Sequence, residues 1–568
     1  MCPETGKIKW STCGRQLGKL VLVILLTNTN TATSTVDVDE EQCLPEQVHL
    51  SYGNTMSEMV VMWATPSNCT TALVYGDKEW GFHETASGRS VKFDMKNPNG
   101  IQYLHHVKLQ NLKAETTYHY RPLSNNIGAG PFYFKTPPAG QDWSPVFLVY
   151  GDLGIHSYTI PSLTEEALSG EYTAVLHDGD FAYNLHDNGG TVGDTFMRLI
   201  QGISSQLPYM TSVGNHVFSE IIDDTFAHYR HRFSMPGSDW PIPLEKMWYS
   251  IDVGPVHLIS YSTEVFFTLD KKYVNTQHDW LIKDLKQANE NRANCPWVVA
   301  YGHRPMYCSN DDNDDCTKPD SLVRAGLEDI FYHFGVDIVI QAHEHSYERL
   351  WPHYKGVVIA NNYTNPGAPV QLITGAAGSK HGLDLMANRT DDPWSAFRRD
   401  NGSLNSYGRL EIVNTTHALW EQKSAMDHDL MDSIWIVQEK HGPFKTEELP
   451  ANVTKVIEET IEATGGKPTF SETETVDTNS AIVEDDNKQR MAIGIAFGSL
   501  VAVVLVVVIA VKKCRRKRKA VRRWEQMDFN YGKKFYSPAK DLDKELDNDF
   551  EIDMSDGTLP TTKLLSDD

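Results

Sequence analysis

Five short apolar runs in the middle of this chain, Val146 to Tyr150, Ala174 to Leu176, Tyr209 to Val213, Trp297 to Tyr301 and Val336 to Gln341, each give way within a few residues to an Asp, an Asn or a His. Runs this short and this uniformly apolar read as strands buried on both faces, as does Val256 to Tyr261. Helical periods lie between several of them, over Phe196 to Ile203, Gln277 to Asn291 and Ser321 to Phe334, so the pattern demands an α/β arrangement. From Pro369 to about Val437 a strand-like pattern returns and is expected to complete the sheet. Ligands collect at the carboxyl ends of strands in such folds. Asp152, Asp180, Asn215 with His216, His303, and His343 with His345 are therefore aimed at one place. Singly, each has an ordinary reading as a turn former, a core histidine or a surface residue; five strand ends of this kind together do not.

Ahead of this region, residues 43–137 read as short strands over Gln47 to Ser51, Met59 to Ala64, Ala72 to Tyr75, His105 to Leu109, Thr117 to Arg121 and Phe132 to Thr136, with no useful helical period between them. That predicts a small β-sandwich. Leu112 followed by Tyr118 and Tyr120 is similar to the tyrosine corner of fibronectin type III domains, and Thr136-Pro137-Pro138-Ala139-Gly140 makes a natural boundary.

The two ends of the chain bear on compartment. Lys7, Lys9, Arg15 and Lys19 precede the seven-residue apolar run Leu20 to Leu26, and small polar residues follow to Thr35, which reads as a signal peptide over residues 1–34. Met491 to Val511 is 21 residues without a charge, enough to cross a bilayer as a helix. Nine of the twelve residues from Lys512 to Arg523 are Lys or Arg, which puts the C-terminal side in the cytoplasm. A GPI signal would end at its apolar run, whereas this chain continues to Asp568. The expectation is a type I single-pass membrane protein. Its head is extracellular or in the endolysosomal lumen, and it carries a polar stalk over 440–490 and a cytoplasmic tail over 512–568. Six sequons, at Asn68, Asn362, Asn388, Asn401, Asn414 and Asn452, all fall on the outer side. Of eight cysteines, Cys2 and Cys13 leave with the signal and Cys514 lies beside the membrane, a position open to palmitoylation. Close spacing makes Cys308 and Cys316 a candidate bridge and Cys43 and Cys69 a second, with Cys295 left over, although spacing alone does not fix connectivity. A net charge of −23 argues against nucleic acid as a partner. Nothing in the sequence sets the oligomeric state.

The strand-end residues have the chemistry of metal ligands. Asp180 and Tyr183 stand three apart in His177-Asp178-Gly179-Asp180-Phe181-Ala182-Tyr183, a carboxylate and a phenol able to grip one hard ion. Two Asp, one Tyr, one Asn and three His suit paired Fe, Zn or Mn, and suit copper or an iron–sulfur cluster poorly.

At this point the chain resembles the purple acid phosphatases, a family of metal-dependent phosphoesterases with the blocks GDxG, GDxxY, GNH[DE], VxxH and GHxH. Here they read Gly151-Asp152-Leu153-Gly154, Gly179-Asp180-Phe181-Ala182-Tyr183, Gly214-Asn215-His216-Val217, Val299-Ala300-Tyr301-Gly302-His303, with Val299 one position early, and Ala342-His343-Glu344-His345. The resemblance covers about residues 43 to 437. It implies a fibronectin type III-like domain over 43–137 and an α/β metallophosphoesterase sandwich over 145–437. It also implies that Asp152, Tyr183 and His345 hold a ferric ion, that Asn215, His303 and His343 hold a divalent Fe, Zn or Mn, that Asp180 bridges the two, and that Tyr183 gives a purple charge-transfer band. The implied activity is acid phosphatase: a metal-bound hydroxide attacks a phosphate monoester, with His216 protonating the departing alkoxide or stabilising the transferring phosphoryl group. A ferric ion acidifies bound water more strongly than zinc does, which suits acidic pH. His156 and His186 read as loop histidines beside the site. A phosphodiesterase or nucleotide hydrolase on the same site is the neighbouring reading. A membrane-anchored recognition protein with a vestigial metal head is the reading from another class, and the filled ligand positions argue against it. Val217 replaces an acidic residue, which leaves the orientation of His216 open, and Ala342 replaces Gly. Some relatives carry a His pair shortly after the VxxH block, where this chain has Asp311-Asp312-Asn313-Asp314-Asp315, read as a solvated surface loop.

Overall fold

Burial alternates along Ile101–Leu109 and Thr117–Ser124, the two-residue period of strands with one face on a core. In a computed structural model of the chain these strands belong to two antiparallel sheets that make up the N-terminal domain. One has the order Glu46–Tyr52, Met59–Thr65, Ile101–Leu109, Arg89–Asp94; the other runs Glu84–Ser87, Ala72–Gly76, Thr117–Ser124, Ile127–Gly128, with Phe132–Lys135 also paired to Thr117–Ser124. Tyr118 Oη accepts a hydrogen bond from the backbone N–H of Lys113 at 2.9 Å. The structure describes residues 42–445, apart from 80, 96–99, 219–224, 268–270, 312, 387–391 and 399–403. The signal peptide, the stalk beyond residue 445, the 491–511 span, the cytoplasmic tail, Asn388, Asn401, Asn452 and Cys514 fall outside the described residues. Among the described residues no helix is long and apolar enough to cross a membrane.

The second domain is an α/β unit built on two mixed sheets. The six-stranded sheet has the order Tyr209–Ser212, Ala174–Asp178, Val146–Tyr150, Ser406–Ile412, His417–Ser424, Leu430–Val437, and its first three strands are parallel. The seven-stranded sheet runs Tyr249–Val253, Val256–Ser260, Trp297–Tyr301, Ile338–Gln341, Val370–Thr374, Tyr347–Leu350, Ser395–Arg398, parallel from Val256–Ser260 through Val370–Thr374. The five strand ends that carry candidate ligands are thus divided three and two between the sheets. The region after Pro369 finishes both sheets, where the sequence pattern suggested one. The central strands are buried along their whole length, so nothing in them marks which sheet they join.

Helix Leu322–Phe334 shows how the sequence builds the flanking layer. Ser321 accepts from the Arg324 N–H at its start, Gly335 ends it at φ +66°, and Val323, Leu327, Ile330, Phe331 and Phe334 form its buried stripe. Helix Thr191–Ser204 buries Phe196, Met197, Ile200 and Ile203 toward the core and carries the N-terminal domain on another face. There Gln201 Oε1 accepts from the Val48 N–H at 2.9 Å, and Arg198 pairs with Glu46 at 2.8 Å. Cys43–Cys69 and Cys308–Cys316 are disulfides, and Cys295 is free and buried.

Candidate metal centre

The loops after the five strands leave regular structure abruptly. Asp152, Asp180, Tyr183 and His343 all have φ between +51° and +66°, a region that non-glycine residues seldom occupy and that clusters at functional sites. Gly179 has a reason of its own: at φ +80°, a Cβ there would sit 2.4 Å from His303 Nδ1. Similarly a Cβ on Gly151 would meet that of Ala342 at 2.3 Å, so a side chain is tolerated at 342 because 151 has none.

All seven candidate donors converge where the two sheets present their carboxyl ends. Tyr183 Oη donates to Asp152 Oδ1 at 3.0 Å and lies 2.8 Å from His345 Nε2, which is itself 3.5 Å from Asp152 Oδ1. A second group forms around His303 Nε2, with Asn215 Oδ1 at 3.0 Å, Asp180 Oδ2 at 3.2 Å and His343 Nδ1 at 3.2 Å. Donor atoms of Asp180, His303 and His343 all fall within 4.8 Å of one another. Asp180 touches the second group and acts through its charge on Tyr183 and His345 of the first; its Oδ1 accepts from the His216 backbone N–H at 2.9 Å, and its Oδ2 is 3.8 Å from His216 Nε2.

Electrostatically the site demands cations. Burial opposes charge on His303, yet Asp180, with Asp152 and Glu264 behind it, raises its pKa to about 10. For His345 the contest between burial and the charges of Asp152, Asp384 and Asp180 ends at about 9. Burial alone would raise Asp180, but His303, His216 and His343 hold its carboxyl well below the usual range. Tyr183 is driven the other way: burial first, then Asp152 and Asp180, push its phenol well above its ordinary value. Hard carboxylate, phenol and amide oxygens beside borderline imidazoles fit a pair of hard or borderline cations.

Each candidate ligand histidine is braced at the nitrogen that faces away from the cluster. His303 Nδ1 donates to the Asp178 carbonyl at 2.9 Å, His345 Nδ1 lies 3.6 Å from Asp384, and His343 Nε2 is in short contact with Asp314. His216 is braced by Asn184, whose Oδ1 is 2.6 Å from His216 Nδ1 while its Nδ2 donates to Asp187 at 3.2 Å. Val217 packs in the hydrophobic core. The orientation of His216 therefore comes from a residue the motifs do not include.

In the acidic stretch after the VxxH block Asp311 and Asn313 are exposed, as expected of a solvated loop, but Asp314 and Asp315 turn inward. The Cys308–Cys316 disulfide ties it back, Asp314 meets His343 and Arg304, and the buried Asp315 carboxylate accepts from the Leu322 and Val323 N–H groups and the Ser321 hydroxyl. His381, which belongs to none of the motifs, is an exposed residue whose ring centre is 5.6 Å from those of Tyr183 and His216 and 6.2 Å from that of His345. His186 is largely buried, with its ring centre 6.3 Å from that of His228, and His156 is exposed. The sequon residues Asn68, Asn362 and Asn414 are exposed.

Three family models match in order: purple acid phosphatase N-terminal domain over residues 45–147, calcineurin-like phosphoesterase over 145–347, and iron/zinc purple acid phosphatase-like protein C over 368–433. The chain is 43% identical to acid phosphatase type 7 of Homo sapiens over 417 residues, covering 70% of this chain and 92% of the relative. It is 41% identical to the Danio rerio protein of that name over 426 residues, with the same coverage, and 31% identical to purple acid phosphatase 22 of Arabidopsis thaliana over 401 residues, covering 69% and 85%. Among solved structures, purple acid phosphatase PPD1 from yellow lupin shares the fold with a TM-score of 0.59 at 22% identity, covering 70% of this chain and 74% of the lupin chain. Strand ends, converging donors and relatives agree: the chain belongs to the purple acid phosphatase family, metal-dependent hydrolases of phosphate monoesters.

Proposed function

We propose that the chain hydrolyses phosphate monoesters at a dinuclear centre in which Asp152, Tyr183 and His345 hold a ferric ion, Asn215, His303 and His343 hold a divalent Fe, Zn or Mn, and Asp180 is shared. The observation that carries this reading is Asp180 itself: its Oδ2 is 3.2 Å from His303 Nε2, and its charge also acts on Tyr183 and His345 of the other group. Two such cations supply neutralisation of the phosphate oxygens and an activated water as nucleophile. The protein supplies the rest. Tyr183, its proton held by burial and by Asp152 and Asp180, would release that proton to solvent only where a strongly Lewis-acidic cation binds the phenolate, which favours ferric iron. His216, whose Nδ1 lies 2.6 Å from Asn184 Oδ1 and whose Nε2 faces Asp180 at 3.8 Å, delivers a proton to the departing alkoxide. The exposed His381 stands over the same face, where a substrate enters. No nucleophilic Ser or Cys is required.

Purified protein is expected to release phosphate from a generic aryl phosphate, and Asp180→Ala to lose both activity and metal. Wild-type protein that binds two metals and turns over no phosphomonoester would defeat the reading.

The compartment belongs to the same proposal. The leader pattern, the uncharged run Met491 to Val511 and the basic residues after it are the support for a type I single-pass protein with its head in the extracellular space or endolysosomal lumen.

A further inference from the structure

The two ring nitrogens of His343 face different surroundings. Nδ1 is 3.2 Å from His303 Nε2, inside the donor group around Asp180. Nε2 points the other way, onto Asp314 Oδ2, with Arg304 Nη1 at 3.0 Å. A neutral imidazole that gives one nitrogen to a metal carries its proton on the other, and the acceptor of that proton fixes both tautomer and ring angle. Asp314 is a carboxylate at that position, on the side of the ring away from Asp180. Arg304 balances its charge, standing 3.4 Å from Asp314 and 3.0 Å from the buried Glu264.

The chain that brings Asp314 there is tied down on its C-terminal side. The Cys308–Cys316 disulfide closes it, and the neighbouring Asp315 is locked onto the start of helix Leu322–Phe334 by three hydrogen bonds of 2.6 to 3.3 Å. From that helix Arg324 reaches back to the carbonyls of Met306, Lys318 and Cys316 at 2.9 to 3.1 Å and lies 4.0 Å from the centre of the Tyr307 ring. Asp314 is thereby held from its Asp315 side, next to the disulfide that closes the loop.

We propose that Asp314 is a positioning residue for the divalent half of the metal centre: it accepts a hydrogen bond from the Nε2–H of His343 and so presents Nδ1 as the ligand atom, and the disulfide-closed loop serves to deliver it. This rests on the two-metal reading above. The ferric half, formed by Asp152, Tyr183 and His345, does not depend on Asp314.

The test is metal titration of the full-length chain, with iron content and the visible band followed alongside zinc uptake against graded free Zn²⁺. Asp314→Ala is expected to weaken the divalent site by about 10- to 100-fold while iron and the band stay at wild-type level, and Asp314→Glu to recover most of the loss. Retained iron also reports that the variant is folded. Wild-type zinc affinity in Asp314→Ala overturns the proposal, as does parallel loss of both metals, which would mark a merely structural role. A wild-type chain that takes up no metal removes the inference together with the metal-centre reading. One that takes up two metals and hydrolyses no monoester removes the phosphatase reading alone.

Discussion

Asn184 fixes one side of its amide by donating to Asp187, which leaves Oδ1 for His216 Nδ1 and holds Nε2 toward the Asp180 side of the site. Removing the amide in Asn184→Ala frees the ring without touching a proposed ligand. Steady-state kinetics are expected to show kcat lower by about 10- to 100-fold, with metal content unchanged. Loss of metal in step with activity would instead make Asn184 a support for the ligands. At this scale the donors were legible because each sits just after an apolar strand, and metal chemistry allows few side-chain types there. Their braces were not. Asn184, Asp314 and Asp384 reach their histidines across 29 to 39 residues of chain, and nothing local to them differs from turn or surface residues. Asp314 was further disguised by its acidic neighbours, since charge runs ordinarily face water. Its use depends on the Cys308–Cys316 bridge and on Arg304, which only folding brings together.

Among the elements, the strand Val256–Ser260 and the helix Lys271–Glu290 are joined by a buried ionic contact. His257 Nδ1 is 2.7 Å from Asp252 and its Nε2 is 2.9 Å from Asp284. Burial works against its charge, but the two carboxylates raise its pKa from 6.5 to about 9. A pKa raised on folding contributes stability that is complete below the unfolded value and fades as pH rises through the folded one. His257→Gln is therefore expected to cost up to about 3 kcal/mol near pH 6, measured by denaturant unfolding, and progressively less toward pH 10. A cost that does not change with pH would show that the imidazole acts there as a neutral hydrogen-bonding group. Elements with a strong period were legible: the central apolar strands, and helices such as Leu322–Phe334 with its cap and buried stripe. The edge strands Glu84–Ser87 and Arg89–Asp94 were not, because they are polar and largely exposed and so carry no burial pattern. Helix Thr159–Leu168 escaped because much of what it buries, Thr159, Ser162, Thr164 and Glu166, is polar, so its inner face carries no apolar period.

On the scale of the whole molecule, the two domains share a hydrophobic core in which Val48 and Leu50 of the first belong to the same cluster as Phe196 and Ile200 of the second. Arg232 is the polar pin of this joint, 1% exposed, with Asp194 at 2.8 Å and Gln47 Oε1 at 3.1 Å, while its carbonyl lies 2.8 Å from His49 Nε2. Arg232→Ala strands the Asp194 carboxylate in the interior. It is expected to lower stability by about 3–5 kcal/mol, with both domains still melting in one calorimetric transition. Two separated transitions would show that the joint, and not only the pair, depends on Arg232. The boundary near Thr136 to Gly140 could be read from its prolines and glycine. The joint could not, because the residues that form it look like the ordinary interior of each domain taken alone.

The claim that organises the molecule is a pair of metals with a phenolate on one of them. Metal content and the visible spectrum of the purified wild-type chain, measured beside Tyr183→Phe, address it most directly. Two metals per chain, iron among them, with an absorption band that vanishes in Tyr183→Phe, is the result expected. Fewer than two metals in the wild type, or a band that survives loss of the phenol, would contradict it.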